Sequence, residues 1–267
     1  MTPTQIKAVL TELGGGANKR LGQHFLVDAH ALATIVEAAE IEAGDRVLEI
    51  GPGLGVLTGA LIDAGADVTS VERDRRFMEF LKNRFPEHFD LIEGDAAKLD
   101  WENHFKKKRW KFVSNLPYAI TSLALRKALY APHPPTDLVV LVQREVAERA
   151  IARDQKHSLL SLMVAFASHE ASIVKRVPAG AFFPPPRVES AILKIVPMSR
   201  EEREAIWGVD PEKLMSLAKR GFAHPRKLLS SNLGIKGGIL VKNGLPEKAR
   251  AEDLQPDDWV KLAGGNG

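Results

Sequence analysis

The stretch from Arg46 to Glu72, "RVLEIGPGLGVLTGALIDAGADVTSVE", decides the fold. "RVLEI" reads as a strand, stops at glycines, passes into the helix-like "GVLTGALIDAG" and returns as the strand-like "DVTSVE". The apolar period changes from strand to helix and back. The alternation continues downstream. "DRRFMEFLKNRF" reads as a helix, "FDLIEG" and "WKFVSN" as strands, "ITSLALRKALY" as a helix and "DLVVLVQ" as a strand. Strands alternating with helices imply a mostly parallel sheet covered on both faces.

On the N-terminal side, Thr2-Pro3 marks a helix start that "GGG" at Gly14 to Gly16 stops, and Asp28 is placed to cap "AHALATIVEAAEI". On the C-terminal side, "EVAERAIA" and the apolar "LLSLMVAFA" precede two strand-like pieces, "ASIVKRV" and "SAILKIV". The proline-rich "AFFPPPRVE" separates them, so they are expected to form an antiparallel hairpin that closes a seven-stranded sheet. Beyond Pro197 only short helices are signalled, with Pro211, Pro225 and Pro256 as first helical positions and Gly234 and Gly264 as stops. The expected organisation is an α/β domain over 1–198 and a small all-α domain over 199–267.

Bulk properties narrow the function. The 267 residues, 45% hydrophobic and 27% charged, suit one large soluble domain with a smaller one. The densest apolar run, "LVVLV" from Leu138, is far short of the ~20 residues of a membrane span. "MTPTQIKAVLTEL" is polar and charged, which argues against a secretory signal and for the cytoplasm. No cysteine is present, which excludes disulfides, thiolate metal sites and a cysteine nucleophile; no metal site is expected. Net charge is +3 but unevenly spread, with nine Lys/Arg against one acid, Glu247, between Lys213 and Arg250. "KKKRWK" from Lys106 to Lys111 and the pair Lys19-Arg20 add two further clusters. Local positive charge of this kind favours a polyanion, here nucleic acid.

"EIGPGLG" places acidic Glu49 before glycines spaced G-x-G-x-G. A dinucleotide fingerprint requires G-x-G-x-x-G/A, and from Gly53 the third position falls on Thr58. No lysine follows as in a P-loop. The pattern resembles that of class I S-adenosylmethionine methyltransferases, whose zwitterionic cofactor carries a sulfonium and no phosphate. Glu72 ends the second strand, where a carboxylate accepts both ribose hydroxyls, and Asp95 ends the third, facing an adenine amino group.

"NLPY", Asn115 to Tyr118, ends the fourth strand and faces the same crevice. An exocyclic adenine nitrogen is a poor nucleophile because its lone pair is delocalised into the ring. The Asn115 amide oxygen and the Leu116 carbonyl can each accept one amino hydrogen, biasing the nitrogen toward tetrahedral geometry. Pro117 fixes φ and removes a competing donor, and Tyr118 offers a face to an unstacked base. Together these residues read as a clamp for adenine N6.

With "KRLGQHFLVD" (Lys19 to Asp28), "QREVAERA", "FFPPPRVESA" and "RAEDLQPDDWVKLA", these motifs resemble the KsgA/RsmA family of small-subunit ribosomal RNA adenine N6,N6-dimethyltransferases. The resemblance covers almost the whole chain. It implies that the "GQHFL" segment closes over the cofactor through His24 and Leu26, joined by Gly51, Glu72, Asp95 and Asn115. It also implies Phe182 as a second wall of the base pocket opposite Tyr118, and a product dimethylated at two adjacent adenosines near the 3′ end of 16S RNA. The obvious partner state is a monomer docking on that RNA. Two departures stand out: His24 where many relatives carry Asn, and "FAHPRK" in place of an F-x-x-R-R-K run, expected to weaken phosphate contact and alter the helix there. A large-subunit enzyme giving macrolide resistance, usually with N-I-P-Y, and a non-catalytic assembly factor are the alternatives.

Overall fold

A computed structural model describes residues 1–101, 104–105, 109–152 and 156–264, with Lys19 described by its backbone alone. The chain divides into two compact units, Met1–Ala147 with Ser172–Val196, and Glu148–Ala171 with Pro197–Gly267. Residues 148–171, expected within a 1–198 domain, therefore belong with the C-terminal helices. The physical reason is apolar pairing: Trp207 packs edge-on against Phe166, its indole N–H donates to the Phe166 carbonyl at 3.1 Å, and Met198 N–H donates to Ala167 at 2.9 Å.

The first unit is built on β2 (Arg46–Ile50), β3 (Asp67–Glu72), β4 (Phe89–Glu93), β5 (Lys111–Asn115), β6 (Asp137–Gln143) and most of β7 (Ser168–Val177) and β9 (Ser190–Pro197). They form one seven-stranded sheet in the order β4-β3-β2-β5-β6-β9-β7. β2, β3, β4, β5 and β6 pair in parallel, and β9 runs antiparallel to β6. The Leu138–Val142 run is fully buried, as a central strand covered on both faces requires. The strand order reverses between β2 and β5, the place where open α/β sheets bind ligands outside the carboxyl edge.

Local chemistry sets the helix starts. α1 (Pro3–Glu12) begins with a Thr2/Gln5 capping box and Pro3 at its first position. α2 (Ala29–Ala38) is capped by Asp28, whose carboxylate accepts from Ala31 N–H at 2.7 Å. α3 (Val56–Asp63) and α2 bury Leu57, Leu61, Ala31 and Ile35 with Val47, Val68, Val113 and Val139 of the sheet. α1 and α4 (Met78–Arg84) bury Ile6, Leu10 and Leu81 with Phe25, Leu54 and Phe77.

Two short strands escape any periodicity argument. β1 (Phe25–Leu26) pairs antiparallel with β8 (Phe182–Phe183), aligning Phe25 with Phe183 and Leu26 with Phe182.

Lys111, counted with the basic run, is no docking cation. Its ammonium is buried against the Ala39 and Glu40 carbonyls and the Asp45 carboxylate at 2.8 Å, pinning the end of α2 to the sheet. Residues 106–108 of that run lie outside the described residues.

The second unit contains α7 (Leu159–Ala165), α8 (Arg200–Trp207), α9 (Pro211–Gly221), α10 (Leu229–Leu233), α11 (Gly237–Lys242) and α12 (Pro256–Leu262). Gly221 lets α9 approach Trp259 of α12, since an added Cβ would stand 2.2 Å from the indole ring. Pro225 is not a first helical position. α9 ends at Gly221, and Pro225 sits in the turn before α10, so the substitution leaves both helices intact. All nine cations from Lys213 to Arg250 are exposed. No helix among the described residues is long and apolar enough to cross a membrane.

Candidate active site

The tips of β2, β3, β4 and β5 surround one cavity of about 170 Å³, lined by Gly51, Glu72, Asp95 and the whole of Asn115–Tyr118. The strap that precedes β1 crosses it, contributing Gln23 and His24, and β1 adds Leu26. Every cofactor residue expected from the sequence thus meets at one place. Phe182 does not. It is 3% exposed, registered against Leu26, and packs in the core with Ile35 and Ala181 rather than on the cavity. Pairing of β8 with β1 turns its ring inward, and the ring that faces Tyr118 is the imidazole of His24, at 6.0 Å between centroids and 25° between planes.

The glycine turn brings two strand tips together. Gly51 has φ +72°, and an added Cβ would meet the Pro117 ring at 3.2 Å, so the loop after β2 packs directly on the turn after β5. Gly53, at φ +57°, lies under the Phe25 ring and donates its N–H to Glu72 Oε2 at 3.1 Å. Glu72 Oε1 accepts from the Arg73 and Asp74 amides, both at 2.7 Å. Burial pushes the Glu72 pKa above the usual carboxylate value, and the three amide donors oppose the rise. Asp95 is fixed by Ala97 N–H on Oδ1 at 3.0 Å and by Arg73 on Oδ2 at 3.4 Å.

Asn115 is oriented by the strap. Its Nδ2 donates to the His24 carbonyl at 3.2 Å, which leaves Oδ1 as the acceptor offered to a ligand. The His24 side chain donates from Nδ1 to the Pro184 carbonyl at 2.7 Å, since a carbonyl can only accept. Gln23 donates to Asp74 at 2.8 Å. Carboxamide, imidazole and strap are therefore one assembly. Sequence reasoning did not single out Gln23 or Asp74, because neither the short polar strap nor the turn after β3 carries a periodicity.

Glu49 lies beneath the glycine turn, 1% exposed, and its Oε2 accepts from Thr58 at 2.6 Å and Ser70 at 3.1 Å. Burial raises its pKa to about 7, against the pull of the two hydroxyls and with help from the nearby Glu72 charge. A carboxyl group raised in this way favours the folded state most below its ordinary value near 4.5, and that contribution is lost as pH rises through about 7. Glu49→Gln keeps an acceptor for both hydroxyls and cannot ionise. Between pH 5 and 8 the wild type is expected to lose roughly 2–3 kcal/mol relative to this variant in urea titrations. Parallel profiles for the two proteins would show that Glu49 does not titrate there.

Among the described residues, no group of three or more His, Asp or Glu is arranged to hold a metal ion. Glu72 presents both oxygens beside the strand crevice.

Comparison with known proteins agrees with this geometry. The family model described as ribosomal RNA adenine dimethylase matches residues 15–264. A Dehalococcoides mccartyi protein named ribosomal RNA small subunit methyltransferase A is 39% identical, over 92% of this chain and 87% of its own length. One of the same name from Phenylobacterium zucineum is 36% identical, over 97% and 91%. Among solved structures, a dimethyladenosine transferase from Plasmodium falciparum superposes with a TM-score of 0.73 at 26% identity, covering 90% of this chain and 96% of that one. The 23S rRNA methyltransferase ErmE does so with a TM-score of 0.70 at 26% identity, covering 90% and 98%. A parallel sheet with one antiparallel insertion, acids at successive strand tips and a match over almost its full length place this chain in the ribosomal RNA adenine dimethylase family of S-adenosylmethionine-dependent enzymes.

Proposed function

We propose that this enzyme transfers two methyl groups to N6 of each of two adjacent adenosines in a hairpin near the 3′ end of 16S ribosomal RNA. The substrate is taken within the small subunit or its precursor, in the cytoplasm, by a monomer. The observation that carries the reading is the placement of Asn115, with its Nδ2 committed to the strap, in one cavity with Gly51, Glu72 and Asp95. The small-subunit relatives at 36–39% identity favour this substrate over the large-subunit RNA of ErmE, at 26%.

When bound, S-adenosylmethionine supplies an electrophilic methyl group. Glu72 would accept the ribose hydroxyls and Asp95 a hydrogen of the adenine amino group, and Gly51 and His24, on the same cavity, would border the methionine portion. The Asn115 Oδ1 and the Leu116 carbonyl each accept one hydrogen of the target amino group, restoring the nitrogen lone pair. Tyr118 supplies a stacking face, a contact worth roughly 1–3 kcal/mol per base, which offsets extrusion of the base from its hairpin. No covalent intermediate with the protein is involved, so positioning dominates the rate. Positive charge on the bound cofactor favours the ionised Glu49. Cofactor affinity should therefore tighten as pH rises through about 7, and isothermal titration of Glu49→Gln should show a shallower profile.

The exposed cations of the second unit suit the RNA backbone. Arg220 is a poor choice for testing this, because it donates to the Leu233 carbonyl at 2.9 Å and so supports α10. Arg226 and Lys227, in the turn after α9, are exposed. Neutralising both should weaken small-subunit binding and lower the slope of log K against log salt by about 1 for each phosphate that is no longer neutralised. An unchanged slope would move the docking surface elsewhere.

Incubating undermethylated small subunits with protein and S-adenosylmethionine, followed by nucleoside mass spectrometry, tests the activity. N6,N6-dimethyladenosine is expected, and its absence would reject the reading.

A further inference from the structure

We propose that Ser190 is the positioning residue that sets the angle of the Tyr118 ring, and through it the placement of the target base for the second methyl transfer. The inference rests on the reading of Tyr118 as the base-stacking face.

The Tyr118 and Ser190 hydroxyls share a hydrogen bond of 2.7 Å. Ser190 is 0% exposed and opens β9, where its Cα pairs with Gln143 at the end of β6. Its backbone has little freedom. The Arg144 N–H donates to the adjoining Glu189 carbonyl at 2.9 Å, and the Arg144 guanidinium holds the Glu189 carboxylate at 2.6 Å. The near end of Tyr118 is equally fixed, because Pro117 packs on Gly51 and Ile120 N–H closes the turn onto the Pro117 carbonyl at 3.1 Å. The ring is thus held at both ends, by the turn after β5 and by a buried hydroxyl on an antiparallel strand. The His24 imidazole bounds its swing on one side.

A half-buried phenol deprived of its partner reorients toward water, because an unmet hydroxyl in an apolar setting is unfavourable. The ring then no longer presents the same plane. The two transfers feel this differently. Unmodified adenine offers two amino hydrogens to Asn115 and Leu116, whereas N6-methyladenine retains one. Its pose depends more on stacking, so an ill-set ring penalises the second step more than the first.

Ser190→Ala should leave S-adenosylmethionine affinity unchanged and lower turnover by up to about 10-fold, the equivalent of one hydrogen bond. The product should shift from dimethyl- to monomethyladenosine. Tyr118→Phe removes the same bond from the other side. The two single variants should lose the same amount, and the double variant no more, as groups acting through one interaction do. Additive losses, or an unchanged ratio of mono- to dimethyl product in Ser190→Ala, would overturn the assignment. Tyr118→Ala separates the two readings. If that variant is inactive while Ser190→Ala matches wild type, only the role of Ser190 fails. If it still dimethylates, Tyr118 is not the base platform and both fail.

Discussion

Asn115→Ala is expected to lower methyl transfer by about 10²–10³-fold, the usual consequence of removing one preorganised polar group from a reacting centre. Cofactor affinity should stay within a few-fold. The asymmetry follows from the geometry. Asn115 binds the strap through Nδ2, and the strap keeps other anchors when that bond is lost: His24 to Pro184, Gln23 to Asp74, and Val27 N–H to the Ala181 carbonyl at 2.8 Å. The Oδ1 acceptor has no such substitute. Asn115→Asp should not rescue turnover, because its second oxygen would face the His24 carbonyl with no hydrogen to share. Calorimetry with S-adenosylmethionine and single-turnover methylation, run on the same preparation, separate the two effects. Equal losses in both would make Asn115 a cofactor residue first.

Glu72→Gln is expected to do the reverse. Its carboxylate accepts three backbone N–H groups and remains open to the ribose. An amide in its place turns one oxygen into a donor, which must oppose either the Gly53 amide or the pair from Arg73 and Asp74. Two ribose hydroxyls then lose their charged acceptor, and at about 1.5 kcal/mol each this weakens binding on the order of 100-fold. Turnover at saturating cofactor should fall much less. A variant that binds S-adenosylmethionine as wild type does would place the ribose elsewhere. Thermal melting of the unliganded variant checks that the β3 tip has kept its fold.

The strand tips were legible because each combines a short apolar run with a polar residue where the run stops. "RVLEIGPGLG", "DVTSVE", "LIEGDA" and "WKFVSNLPY" all have this form, and all four meet at one cavity. What was not legible arises from pairing between distant segments. β1 and β8 have two residues each, too few for a period, yet they decide that Phe182 faces the core. Lys111 belongs to a basic run by sequence and to a buried ion pair with Asp45 by fold, an arrangement that only the parallel pairing of β2 and β5 creates. Residues 148–171 carry an ordinary helix-like pattern, and their membership of the second unit depends on where Trp207 and Met198 find partners. Tyr118 could be read as an aromatic beside a strand tip, whereas its bond to Ser190 needed the antiparallel insertion of β9.

The most direct test is quantitative nucleoside mass spectrometry on purified small subunits lacking the modification, incubated with wild type or Asn115→Ala in saturating S-adenosylmethionine. The wild type should convert two neighbouring adenosines of 16S RNA to the dimethyl form, and the variant should leave them almost untouched while still binding cofactor. Dimethylation by the variant at the wild-type rate would contradict the account, as would 16S RNA left unmodified by the wild type.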